Sequence, residues 1–413
     1  MRAHSWGVIA RGAVAVTAAL TLTAASCSGE PPAKPAGADP SQPGPALRGT
    51  LLVYVESEVV TVTGTAERPV VTTIASDVRS AALSPDLRTL AYVSGTGRLL
   101  LRDVAGGTDK PLAVQSAGQP LTPENACMAW SPDSQRLAAF AGDNALYVIA
   151  TDGAATMVDA PKSARYVKVE NKIFLRPDPA DPGVQVTSEI TCPAWLDARR
   201  LVFDRVAAMP EQITESERAG AHVSTDTTTI ADLSAGPVRL SDTQSRWGVS
   251  GTCGDRLITH NTDNARFLVN SAALTGPDAA TPAGGALPKA TEHGFIPGTC
   301  DVLLIDEAAG HDTHPARRYG VTTGALTELP AIGADAGAPP RLDPRFTAWQ
   351  PGATVFAWGG SYARDGSVRT LRNKIALHDL ASGRRSTIAI GTDDRRWVKS
   401  ILGWLPPDQR AAG

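Results

Sequence analysis

Short apolar runs alternate with turn residues along most of the chain, and one phrase of that pattern returns. Ala129-Trp130-Ser131-Pro132-Asp133 precedes the apolar run at 136–140, and Ala194-Trp195-Leu196-Asp197 precedes the one at 200–203. Fainter copies are Leu83-Ser84-Pro85-Asp86 before 89–93, Trp349-Gln350-Pro351-Gly352 before 354–356, and Trp404-Leu405-Pro406-Pro407-Asp408 near the end. Each phrase predicts a short strand, a tight corner and a returning strand, because proline presets the second turn position and aspartate bonds its own backbone two residues on. All-strand units recurring every few tens of residues predict a propeller or a solenoid.

A second periodicity gives the count. Apolar runs at 59–62, 99–101, 146–149, 229–231, 267–269, 319–321 and 375–377 lead into Gly64, Gly107, Gly153, Gly236, Gly276, Gly324 and Gly383. Glycine supplies the positive φ of such hairpin turns without steric cost. Most neighbouring pairs of these glycines stand about 40–60 residues apart, near the length of a four-stranded blade, whereas Gly153 and Gly236 are 83 apart. That wider interval holds one complete phrase, at Trp195, so the remainder reads as insertions at 161–188, with a small hairpin and proline-rich tip over 166–182, and at 208–222. The expected fold is all-β, a seven-bladed β-propeller, with six or eight blades as the alternatives.

The termini complete the pattern. The stretch 400–404 is a first strand with nothing after it, and 49–55 is a second strand with nothing before it. Pairing them would close the ring with a strand from the C-terminus and cover edges that would otherwise stay open. One tryptophan per blade reads as packing between adjacent sheets rather than as a ligand stack.

The phrases at 83–93 and 130–140 resemble the repeats of TolB-like propellers, also called WD40-like repeats. The resemblance covers most of 49–408 as a repeat pattern, with two or three copies as good matches, and it implies a propeller that binds protein partners in the cell envelope. The family's N-terminal α/β domain has no counterpart here, and the fifth and sixth copies have lost Pro-Asp. The chain is also similar to propeller domains of envelope lipoproteins in high-GC Gram-positive bacteria, which implies interaction rather than chemistry.

The beginning of the chain supports export. Arg2 and Arg11 flank a short n-region, the apolar run 12–25 is too short to span a bilayer comfortably, and Ala24-Ala25-Ser26 stand before Cys27. This resembles a lipobox, in which Cys27 would be diacylated, with palmitate among the expected acyl groups, and become the mature N-terminus; the other reading is a secretory signal cleaved near Ala25. Residues 1–26 thus read as a lipoprotein signal peptide. Residues 27–48, rich in Pro, Ala and Gly, read as a disordered tether, 49–408 as the propeller and 409–413 as a tail. Two acyl chains suffice for stable anchoring, so the expected location is extracytoplasmic, on the outer face of the cell membrane.

Charge narrows the partners. With 39 basic and 42 acidic residues, two of the bases in the leader, the mature chain carries about −5. Neither a nucleic-acid groove nor a basic membrane patch is implied. The expected partners are unidentified envelope proteins, and the expected state is monomeric.

Four cysteines remain after Cys27, an even number in an exported chain. Cys127 and Cys192 each stand three residues before the hairpin tryptophan, while Cys253 and Cys300 each follow Gly-Thr at a corner. These matched contexts predict disulfides 127–192 and 253–300, one of three connectivities. No Cys-x-x-Cys pair occurs, so no metal is expected at them.

Candidate chemistry is sparse. His311-Asp312-Thr313-His314, with His293 nearby, is the one local cluster with metal-ligating residues, and it reads as a polar outer loop. Neither a Gly-x-Ser-x-Gly elbow, a Walker loop nor a dinucleotide fingerprint occurs, so no catalytic residue, cofactor or metal is assigned. Asp103, Asp152, Asp232 and Asp379 precede turn glycines and read as turn-bonding residues. Two functions remain: a non-catalytic, lipid-anchored interaction scaffold, and a propeller whose channel binds a small ligand or runs a hydrolase or lyase reaction. In the second case Asp255, Arg256, Asp301 and Arg345 would converge at one channel mouth.

Overall fold

The computed structural model describes residues 44–123, 127–141, 144–161, 163–169, 172–175, 184–207, 225–234, 237–243, 247–253, 256–261, 266–271, 287–306, 313–333, 342, 346–352, 354–359, 361–362, 369–370, 373–391, 397–409 and 411. Every regular element among them is a β-strand, and the pairing is antiparallel between neighbouring strands of each sheet. Cys27 and the whole leader lie outside the described residues, as do Gly236 and Gly276.

Seven main sheets follow one another along the described residues. The first contains, in order, Val398–Leu405, Thr50–Val55, Glu58–Gly64 and Pro69–Ala75. The second contains Val78–Leu83, Thr89–Ser94, Leu99–Asp103 and Asp109–Pro111. The third contains Ala129–Trp130, Arg136–Ala141, Ala145–Ala150 and Ala155–Asp159. The fourth is built on Ala194–Trp195, Arg200–Ala207, Thr225–Asp232 and Arg239–Thr243. The fifth contains Trp247–Cys253, Arg256–Asn261 and Arg266–Ser271; the sixth Glu292–Phe295, Val302–Ile305, Thr313–Tyr319 and Leu326–Gly333; the seventh Thr347–Trp349, Val355–Trp358, Lys374–Asp379 and Arg385–Ala389. The C-terminal strand therefore joins the first sheet, with Trp404 opposite Leu51.

In the first, second, third, sixth and seventh sheets the second strand is the most buried, because both of its faces are covered. In Thr50–Val55 every residue is buried, and alternate side chains serve different cores. Leu51, Val53 and Val55 pack with Ile375, Leu377 and Ile388 of the seventh sheet, whereas Leu52 and Tyr54 pack with Leu90 and Tyr92 of the second. The same division recurs: Ala91 and Val93 join Trp130 and Leu137, Ala138 and Phe140 join Trp195 and Phe203, and Val202 joins Leu257. Ile258 then joins Val302 and Leu304, and Leu303 and Ile305 join Phe356 and Trp358. A period-two strand with apolar residues at every position is what such two-sided burial requires.

The Pro-Asp phrases form the expected corners. Ser131 Oγ donates to Asp133 Oδ1 at 2.5 Å and accepts the Arg136 N–H at 2.9 Å, and Ser84, Asp86 and Thr89 repeat the arrangement. Adjacent units are tied by their tryptophans: Trp130 Nε1 donates to the Ala82 carbonyl at 3.0 Å, and Trp195 Nε1 to that of Ala129 at 2.8 Å. The hairpin glycines 64, 107, 153, 324 and 383 all have positive φ. Asp103, Asp152, Asp232 and Asp379 each accept a backbone N–H two or three residues on. For Asp379 burial opposes ionisation, yet hydrogen bonds from Ser382, Thr354 and the Ala381 N–H hold its carboxyl below the usual range.

Three boundaries differ from the sequence reading. The sixth sheet's third strand ends at Tyr319, and Gly320 and Val321 begin its turn. Residues 44–48, read as tether, are packed: Leu47 lies in the core between the seventh and first sheets. At the other end Gln409 Nε2 donates to the Leu87 carbonyl at 2.8 Å, and Ala411 packs on the core between the first and second sheets, so this part of the tail belongs to the fold.

Candidate interaction surface

The first strands of the sheets lie side by side. Val398–Leu405 neighbours both Thr347–Trp349 and Val78–Leu83; Ala129–Trp130 neighbours Val78–Leu83 and Ala194–Trp195; Trp247–Cys253 neighbours Ala194–Trp195 and Glu292–Phe295. The sulfurs of Cys127 and Cys192 are joined, and so are those of Cys253 and Cys300. Cys127 and Cys192 precede the first strands of the third and fourth sheets, whereas Cys253 and Cys300 follow the start of the first strands of the fifth and sixth. The cross-links therefore hold opposite ends of the first strands.

The fourth sheet departs from its neighbours beside the first of these links. Ser163–Val169 and Lys172–Leu175 form a hairpin, Val169 opposite Lys172, and Ser163–Val169 also pairs with Val184–Ile190, Ser163 opposite Thr187. Val184–Ile190 in turn pairs with Arg200–Ala207, Ile190 opposite Arg205. The ribbon thus joins the fourth sheet through Val184–Ile190, which pairs with Arg200–Ala207 on the same edge as the short first strand Ala194–Trp195. The hairpin expected within 166–182 begins earlier, at Ser163, and its last described pair is Val169 with Lys172.

The root of this ribbon is heavily tied. Arg205 pairs with Asp159, and both side chains are less than a tenth exposed. Asp159 ends the third sheet just before the chain enters the ribbon. Thr191, next to Cys192, donates its N–H to the Asp204 carbonyl at 2.9 Å and accepts the Asp204 N–H on Oγ1 at 3.0 Å. Thr228 Oγ1 donates to Asp204 Oδ1 at 2.6 Å. Charges buried in this way are weak stabilisers and are costly when broken, so their value lies in fixing one geometry. Sequence reasoning missed this cluster because Asp159, Asp204 and Arg205 form no local motif.

Among the described residues, those considered for chemistry do not gather. His311 and Asp312, Asp255 and Arg345 lie outside the described residues. His314 is a correction: it is a fully buried residue of the strand Thr313–Tyr319, not a loop residue, because that strand continues the core formed with the seventh sheet. His293 lies in the sixth sheet's first strand opposite Leu304, away from the register position of His314. Arg256 reaches Thr322 Oγ1 at 3.3 Å, and Asp301 accepts from Arg318 Nε at 2.7 Å.

By sequence the chain matches no known family profile and no curated protein. Its backbone is similar to that of an oligogalacturonate lyase solved with manganese, at 11% identity over 83% of this chain and 85% of that one, with a TM-score of 0.49. It is also similar to the Cps50 (Swd1) β-propeller domain of Myceliophteria thermophila, at 10% identity over 83% and 100% and a TM-score of 0.41. A chain of a mitotic checkpoint complex gives 12% identity over 95% and 94% and a TM-score of 0.44.

Proposed function

We propose that the chain is a seven-bladed β-propeller of the TolB-like kind, closed by its C-terminal strand and held by a diacylated Cys27 on the outer face of the cell membrane, where it serves as a non-catalytic scaffold for envelope proteins. What supports the ring is the sequence of cores: each joins consecutive sheets, and one joins the last sheet to the first. In such a ring the first strands line the channel. The ribbon of the fourth blade would then stand on the channel side, at the mouth where those strands begin.

The observation that carries the scaffold reading is the rooted ribbon. A strand pair grafted onto the fourth blade through Val184–Ile190, and tied down by a disulfide, an ion pair and a hydrogen-bond network, is a rigidly presented surface of the kind that binding sites use. A photo-cross-linking residue at Lys172, compared with one at the exposed Val70 on the outer strand of the first sheet, tests it in intact envelopes. The expected result is a discrete protein adduct at Lys172 and none at Val70; adducts at neither position would end the scaffold reading. The anchor is tested separately. Cys27→Ala should release a folded protein to the medium, and retention of that variant on membranes after a salt wash would end the lipoprotein reading.

A further inference from the structure

The residues that lead from the anchor into the fold are built into the seam between the seventh and first sheets. Gly44 lies so close to the outermost strand of the seventh sheet that a Cβ on it would sit 2.0 Å from the Arg385 carbonyl oxygen. Ser386 Oγ, on that same strand, donates to the Pro45 carbonyl at 2.7 Å. Leu47 enters the core between the two sheets at 7% exposure, among Ile388, Ile390 and Trp404. The Arg48 carbonyl accepts Trp404 Nε1 at 2.7 Å, on the first strand of the first sheet. Gly49 follows with φ +92°, and a Cβ there would meet the Leu405 carbonyl oxygen at 2.1 Å. Six residues, 44–49, thus cross from the outer strand of one sheet to the inner strand of the next, with glycine where backbones approach too closely for any side chain.

We infer that 44–48 is a wedge that locks the closing seam, so that membrane attachment and ring closure are carried by the same segment. This rests on the ring reading above, because only in a ring is this seam the place where the chain's two ends meet. Every other interface between consecutive sheets is crossed by a continuous connection of the chain. Here the last sheet meets a first sheet whose inner strand comes from the C-terminus and whose second strand comes from the N-terminus. Leu47 fills that junction from the N-terminal side as Trp404 does from the C-terminal side. Cleavage within 44–48, or displacement of the segment by traction on the tether, would unlock the seam before any other interface.

The test is amide hydrogen exchange on the full chain carrying Leu47→Asp, with Ala46→Asp as control, since Ala46 is exposed. The expected result is exchange at least tenfold faster for Val398–Leu405 and Arg385–Ala389 in Leu47→Asp, with the third and fourth sheets unchanged and Ala46→Asp matching the parent. Ser386→Ala supplies a milder variant should Leu47→Asp fail to fold, with the same two strands expected to lose protection first. Equal protection of the seam in the Leu47 and Ser386 variants would overturn the wedge while leaving the ring intact. An elongated particle for the parent protein in small-angle scattering would overturn the ring, and the wedge with it.

Discussion

Phe356 stacks on the imidazole of His378, the ring centroids 5.1 Å apart and the planes 19° from parallel. The pair belongs to a row that crosses the seventh sheet, with Trp349 opposite Phe356, Phe356 opposite His378 and His378 opposite Arg385. In the third sheet the matching row is Trp130, Leu137, Ile149 and Ala155. The seventh sheet has therefore replaced two apolar positions with a titratable ring and a cation. Neither ring nitrogen of His378 has a hydrogen-bond partner among the described residues.

This arrangement makes the fold sensitive to acid. Burial, reinforced by the charges of Arg385 and His314, lowers the His378 pKa to about 3, against about 6.5 in an unfolded chain. The unfolded state then binds more protons between those values, so this group's contribution is complete above pH 6.5. It is lost as pH falls toward 3, at up to about 1.4 kcal/mol per pH unit. His378→Leu should flatten the fall of melting temperature between pH 7 and pH 5; an unchanged slope would mean that other groups govern it.

The buried Asp159–Arg205 pair predicts an asymmetry between single and double replacement. Asp159→Asn removes the countercharge beside a guanidinium that is under a tenth exposed and should cost about 3–5 kcal/mol. Asp159→Leu combined with Arg205→Met, which removes both charges, should cost much less. Urea unfolding of the two variants reads the difference, and equal losses would show that the pair's charges are not what holds the ribbon's root.

The two disulfides close loops with sequence separations of 65 and 47 residues. Loop-closure entropy assigns each about 4 kcal/mol, an upper figure when the denatured chain retains structure. Cys127→Ser with Cys192→Ser, and the corresponding pair at 253 and 300, should each lower the denaturation midpoint. Reductant should have the same effect on the parent. Non-reducing peptide mapping that linked Cys127 to Cys253 or Cys300 would contradict the pairing.

How far the fold is legible follows from how local its causes are. The corners at Asp86, Asp133 and Asp197 and the turns at Asp103, Asp152 and Asp379 are made within a few residues, so sequence suffices to place them. The cysteines are legible for a related reason, because Cys127 and Cys192 occupy equivalent places in two copies of one phrase. Residues 44–48 are not, since a Pro-Ala-Leu-Arg stretch carries one large apolar side chain and acquires its role only from strands more than 300 residues away. His314 is hidden in the same way: Thr313-His314 looks like surface until the register with Ile332 and the seventh sheet's core are known. The ribbon's hairpin could be anticipated, but its root could not, because Asp159, Asp204 and Arg205 meet only across two sheets.

The C-terminal strand makes the sharpest prediction. Trp404 is 2% exposed and lies in the core that joins the seventh sheet to the first; its strand pairs with Thr50–Val55 from Thr50 opposite Leu405 to Val55 opposite Val398. Removing 399–413 takes away that pairing, the indole's bond to the Arg48 carbonyl and the packing of a large aromatic, which alone is worth about 3–5 kcal/mol. That approaches the total stability of many domains, and it leaves Thr50–Val55 as an open apolar edge. The truncated protein should aggregate or become protease-sensitive, whereas removing 28–43, which ends before Gly44 and the packed segment, should leave the melting temperature nearly unchanged. Trp404→Phe should fall between them, keeping most of the buried surface and losing the hydrogen bond. A truncated chain that melted with the parent would show that the first sheet holds together without its C-terminal strand, and closure by that strand would have to be abandoned.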